Sequence, residues 1–130
     1  MGMTNAGAIA AASALVGDGG ITLFNNANAY LGVGDGGATA FSAAQTDLQA
    51  ASNKLRKAMD ASYPTRTNGA ITFRSTFGTS EANWDWSEWG IFNAGSGGTR
   101  LQRKVESPSL GTKTNTSTWT FSVTVTLAAA

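Results

Sequence analysis

Three carboxylates and three tryptophans crowd one short stretch, Glu81-Ala82-Asn83-Trp84-Asp85-Trp86-Ser87-Glu88-Trp89-Gly90-Ile91-Phe92-Asn93. Paired carboxylates hydrolyse glycosides without a histidine, and tryptophans are stacking platforms for sugars, so Glu81, Asp85 and Glu88 beside Trp84, Trp86 and Trp89 outline a small glycosidase or a carbohydrate-binding module. The competing reading is a β-strand whose apolar face switches from Trp84 and Trp86 to Trp89 and Ile91. A bulge near Glu88-Trp89-Gly90 accounts for that switch. The second reading fits better, because aromatic residues in a small β-domain are chiefly core and interface mass, and 130 residues leave little material for a catalytic cleft. Glu88 then lies within an apolar run and needs a cationic partner, since an unpaired buried charge is very costly; Arg56, Arg74 and Arg103 are the candidates.

The other chemistry-bearing patterns are weaker. There is no His and no Cys, which removes Ser-His and Cys-His nucleophilic sites, thiolate metal sites and disulfides. Gly32-Val33-Gly34-Asp35-Gly36-Gly37 matches G-x-G-x-x-G, but Ala-Thr-Ala-Phe-Ser follows where a dinucleotide site needs a long helix, so turn chemistry is expected and no cofactor. Asp18 and Asp35 lack the further carboxylates of a calcium loop. Arg100, Arg103 and Lys104 are read as a solvated or interfacial face rather than a nucleic-acid patch, because the net charge is only +1. The expectation is therefore no metal, no cofactor, no nucleic acid and no membrane.

The elements that carry these residues suit a single domain over 1–130, with an Ala-rich arm or helix over 1–20 and a core over 29–127. Hydrophobic residues make up 42% and charged residues only 13%, with sixteen glycines against two prolines; solubility rests on Ser, Thr, Asn and Gly, and many tight turns are implied. Ala8 to Val16 predicts a short helix with Thr4 or Asn5 as N-cap and Gly17 near its end. It is too short to span a membrane and lacks the charged flank of a signal peptide. Gly17-Asp18-Gly19-Gly20 and Gly34-Asp35-Gly36-Gly37 read as turns. Thr46-Asp47-Leu48-Gln49 reads as a capping box opening a helix through about Ser52. Lys54 to Ser62 and Ala70 to Gly78 read as an antiparallel pair with Asn68-Gly69 as the turn before the second strand. Thr99 to Val105 follows the Gly95-Ser96-Gly97-Gly98 loop as another strand. Ser117 to Leu127 alternates without error, Trp119, Phe121, Val123 and Val125 against Thr118, Thr120, Ser122, Thr124 and Thr126, so one face is buried and the other is wholly hydroxyl. An edge so free of charge awaits another strand or another chain. The fold class expected is mainly β, an antiparallel β-sandwich or barrel-like domain with one or two short helices.

The order of these pieces resembles the small β-rich domains of tailed-bacteriophage virions, notably the N-terminal region of tail-collar and tail-fibre proteins. Leu31-Gly32-Val33-Gly34-Asp35-Gly36 stands at the family's glycine-rich turn and Gln45-Thr46-Asp47-Leu48 at its T-x-L helix. Glu88-Trp89-Gly90-Ile91-Phe92 stands at its E-x-G-L-Y/F strand, and Gly98-Thr99-Arg100-Leu101 at its G-x-L hairpin. With no shaft or receptor-binding tip after this pattern, the resemblance implies a non-enzymatic virion protein acting as a tail adaptor, collar or fibre-type component. Capsid decoration is the first alternative and a carbohydrate-binding module the second. Low charge and abundant aromatics suit a symmetric homo-oligomer, a trimer or ring, in contact with other tail or capsid proteins. Trp84, Trp86, Glu88, Trp89, Arg56, Arg74, Arg103 and Trp119 are then structural or interface residues.

Overall fold

The computed structural model describes residues 2–127. Its elements are β1 (Gly2–Met3), α1 (Asn5–Val16), β2 (Tyr30–Gly34), β3 (Lys54–Ala58), β4 (Thr65–Thr67), β5 (Ala70–Phe77), β6 (Glu88–Phe92), β7 (Arg100–Val105) and β8 (Trp119–Thr126). Two antiparallel sheets form, a five-stranded one in the order β1-β7-β6-β2-β3 and a three-stranded one in the order β4-β5-β8. The chain is thus mainly β, a sandwich-like domain with one short helix.

Alternation decides what lies between the sheets. Leu31 and Val33 from β2, Trp89 and Ile91 from β6, Phe73 and Phe77 from β5, and Val123 and Val125 from β8 are buried in one cluster. Full burial of such side chains is worth about 1.5–3 kcal/mol each. Trp86 sits at the hub, edge-on to Phe77 and Trp119 at 4.9 Å and to Phe121 at 5.7 Å. Its indole N–H donates to the Ala82 carbonyl at 2.9 Å, which allows so large a polar-tipped ring to be buried.

The helix follows its caps. The Thr4 hydroxyl accepts from the Gly7 N–H at 3.0 Å and donates to the Arg100 carbonyl, while Gly17 closes the helix in the left-handed region at φ 72°. Thr4 N–H also donates to Leu101 O at 3.0 Å, so the first turn is pinned to β7. Only Gly7 and Ala10 of α1 are buried.

Four local expectations are overturned. No helix forms over 46–52: the N–H groups of Gln49 and Ala50, which a helix would use, are taken by the Glu88 carboxylate, and Gln49 folds its side chain onto the Asp47 carbonyl instead. The strand after Asn53 stops at Ala58 and pairs with β2, while β5 pairs with β4 and β8 in the other sheet; Asn68, at φ 53°, turns the β4–β5 hairpin. The register irregularity in β6 falls between Ile91 and Phe92 rather than at Glu88-Trp89-Gly90. The tryptophan phase changes because Trp86 precedes the strand, its N–H donating to Gly111 O. Finally, Arg100 and Arg103 are buried rather than solvated or interfacial.

Candidate functional site

β6 is buried along its whole length. Its inward residues meet the second sheet, and its outward residues, Glu88, Gly90 and Phe92, lie beneath the segment 35–53. β2 presents only glycine there, with Gly34 opposite Glu88 and Gly32 opposite Gly90. A Cβ on Gly34 would come within 2.7 Å of Glu88 Oε2, and one on Gly36 within 2.2 Å of that atom and 2.3 Å of the Ala50 nitrogen. The G-x-G-x-x-G stretch therefore makes room for a carboxylate of its own chain. The first turn needs glycine for backbone geometry, with φ 73° at Gly19 and 57° at Gly20; Gly36 and Gly37 have no positive φ and are there for close approach.

Glu88 is enclosed by donors. Its carboxylate accepts from Gln49 N and Ala50 N at 2.8 Å, from Gly36 N at 3.1 Å, and from Arg103 Nε at 2.8 Å, with both side chains fully buried. Arg103 spends its other N–H groups on the carbonyls of Gly36 and Thr39 and on Gln45 Oε1. Of the three candidate partners, Arg103 is the one that pairs with Glu88. Arg56 instead donates to Asp47 Oδ1 at 3.1 Å and to the carbonyls of Ala94 and Gly97, lying 3.6 Å over the Phe92 ring. Arg74 bonds Asp60 at 2.9 Å in the other sheet and stacks on Tyr63.

Two contributors to this network carry no signal in the sequence pattern. Arg100 is buried and donates only to carbonyl oxygens, those of Asp47 and Gln45; burial and the neighbouring Arg103 pull its guanidinium down to about 10, still protonated at neutral pH. It shares a face with Arg103, three positions on, because Ile91 pairs with Gln102 and Phe92 with Arg100, leaving Leu101 without a partner of its own. Asp47 is the other: burial alone would raise its carboxyl, but hydrogen bonds from Arg56, the Leu48 N–H and Lys54 outweigh that and hold it below the ordinary value. Lys113, also buried, binds Gly78 O and Asn83 Oδ1.

The aromatic and acidic residues do not converge on a groove. Trp86 is 2% exposed and Trp89 5%, while Trp84 and Trp119 are half-buried against the same core, so the tryptophans form no flat exposed platform. Glu81 pairs with Lys57 at 2.7 Å, which with the Gly78 N–H holds its carboxyl low; Asp85 accepts from Ser109 at 2.6 Å; Glu88 is sealed. A cleft of about 860 Å3 between α1, residues 21–26 and the second sheet has an apolar wall with Arg66 as its one ionisable side chain. Among the described residues no cluster of three or more acidic side chains is poised to hold a metal, and no helix is long and apolar enough to cross a membrane.

Two surfaces are left largely hydroxyl-bearing or apolar. On the outer face of the second sheet Thr72 meets Thr124 at 2.9 Å and Thr76 meets Thr120 at 3.2 Å, hydroxyl to hydroxyl. In α1, a helix with no ionisable side chain, Ile9, Leu15 and Val16 project into solvent, Leu15 at 87% exposure. Fold and site together define a small antiparallel β-sandwich in which Glu88, Arg100, Arg103 and Lys113 are buried and most other charged residues form half-exposed ion pairs. No family model, curated protein or solved structure matches this chain.

Proposed function

We propose that this chain is a non-enzymatic structural component of a tailed-bacteriophage virion, working through assembly contacts as a tail adaptor, collar or fibre-type piece. The virion part of this reading rests on the order of motifs between Leu31 and Leu127. The assembly part is carried by one observation, the charge-free helix α1 with Ile9, Leu15 and Val16 bare on its surface. Three large aliphatic side chains on one short helix, with no lysine or glutamate among them, are apolar area that another chain covers at a profit in free energy. Trp84, Trp86, Glu88, Trp89, Arg56, Arg74, Arg103 and Trp119 act as the frame behind such contacts. The expected state is a symmetric homo-oligomer seated against other virion proteins.

The test is to purify intact particles and cross-link the chain to its neighbours in place. Recovery with tail proteins is the expected result. Neighbours from the capsid lattice would make it a decoration protein, and absence from washed particles would overturn the reading.

A further inference from the structure

We infer that β8 is a self-recognition edge: two copies of this chain pair their β8 strands antiparallel about a two-fold axis at Val123, joining two three-stranded sheets into one of six strands. The strand lies at the end of its sheet, with β5 on one side only. Leu127 N donates to Gly69 O at 2.8 Å, continuing the register in which residues 119, 121, 123 and 125 face β5. In an antiparallel ladder the inward-bonded residues alternate with outward-bonded ones. The N–H and C=O groups of Thr120, Ser122, Thr124 and Thr126 therefore point away from the sheet along its open side.

Three features select a second copy as the occupant. The first is length and charge. The other sheet-end strands are β1, of two residues, β4, of three with Arg66 at its centre, and β3, which carries Lys54, Arg56 and Lys57. β8 has eight residues, no charge, no proline and no bulge, so it lacks the usual protections of an edge, and the edge that matches it in length and neutrality is its own. The second is side-chain complementarity. With Val123 on the axis, Thr120 lies opposite Thr126 of the second copy and Ser122 opposite Thr124. This repeats across the axis the hydroxyl contacts that Thr72–Thr124 and Thr76–Thr120 make within the sheet. The third is the apolar rim on the core side of the same edge. Trp119 and Phe121 remain half-buried and Leu127 is 62% exposed. The same register sets Trp119 against Leu127 and Phe121 against Val125 of the second copy, covering both rims at once. About eight backbone hydrogen bonds form across such a pair. A two-fold contact closes on itself, so a larger ring would be built from such pairs through a second surface, such as the exposed end of α1.

The inference deepens the assembly reading and rests on it for its biological setting, yet the two fail separately. Sedimentation velocity and native mass measurement of the whole chain are expected to show a dimer at micromolar concentration. Ser122→Lys/Thr124→Lys, which sets lysine against lysine across the axis, should weaken it at least about tenfold. Mixing that variant with Ser122→Glu/Thr124→Glu should restore a mixed dimer, while Thr72→Lys, on the same face but in the central strand, should leave the dimer intact. Because the chain has no cysteine of its own, oxidising Ser122→Cys mixed with Thr124→Cys offers a second readout independent of the charged variants. A mixed disulfide dimer in preference to either like pair supports the stated register. A monomeric wild-type chain, a dimer indifferent to the lysines, failure of the oppositely charged variants to pair, or no mixed disulfide would each overturn the proposal. A monomer found in virions defeats the pairing alone; a β8 dimer absent from virions defeats the virion reading alone.

Discussion

The outer faces of the two sheets solve the same problem in opposite ways. On the five-stranded sheet, segment 35–53 folds back over β2 and β6 and encloses Glu88 and Arg103 at zero exposure with their donors and acceptors matched. On the three-stranded sheet, no segment folds over the outer face: the half-exposed Arg74–Asp60 pair sits there, and threonines bond one another in water. A buried charge is tolerated where the chain supplies every partner itself and the geometry is fixed by its own glycines. A hydroxyl surface costs little to leave wet and little to cover, so it suits contacts made later by another molecule. The difference teaches that buried, fully enclosed charge marks the finished face in this protein, and hydroxyls beside one half-exposed ion pair mark the open one.

The contrast is broken most directly at Glu88. Glu88→Gln strips the carboxylate from a buried guanidinium, and unfolding in urea should show a loss of about 3–5 kcal/mol; Glu88→Gln combined with Arg103→Met, which removes both charges, should recover part of it. A stability unchanged in the single variant would mean that the enclosed pair does not hold the loop layer down. Gly36→Ala should come next at about 1–3 kcal/mol, because the added methyl meets Glu88 Oε2 and the Ala50 backbone, neither of which can withdraw. Thr4→Ala, which removes the cap of α1 and its link to β7, should lower the stability by about 1 kcal/mol in thermal or urea unfolding.

Smaller effects sharpen the comparison. Folded Asp47 takes up its proton at lower pH than the unfolded chain does, so between the two values the unfolded state binds more protons. The contribution of Asp47 is therefore intact above the ordinary carboxylate value of about 4 and is lost as pH falls through the lower folded one. The acid-induced drop in urea midpoint should be shallower in Asp47→Asn than in the native chain, by less than about 1 kcal/mol because the side chain is partly exposed. Smallest of all, Thr124→Ala on the open face should change monomer stability by less than about 0.5 kcal/mol. A loss comparable to that at Glu88 would show that the hydroxyl face is part of the fold's own support.

How far each feature was legible follows from how local its cause is. Thr4 and Gly17 announced the helix because capping involves groups within a few residues. Trp119 to Leu127 announced its two faces because period-two alternation lies within the strand itself. The segment from Thr46 to Ser52 misled for the converse reason: Thr46 and Gln49 carry a capping signal, but Glu88, far along the chain, claims the N–H groups of Gln49 and Ala50. Gly34 and Gly36 were conspicuous as residues, yet their purpose, space for the Glu88 carboxylate, depends on a neighbour in another strand. That Arg103 and not Arg56 or Arg74 pairs with Glu88 was open for the same reason.

Composition and alternation by themselves determined a mainly β chain with an aromatic core, a capped alanine-rich helix and one hydroxyl strand face, because those properties arise from neighbours within about one turn or one pleat. Tertiary structure alone decided which strands share a sheet, that the bulge at Leu101 turns Arg100 and Arg103 to the same buried side, and that β8 ends its sheet uncovered. Pairing between distant strands is chosen by the joint satisfaction of backbone and charge across the whole fold, and no window of sequence contains both halves of that choice.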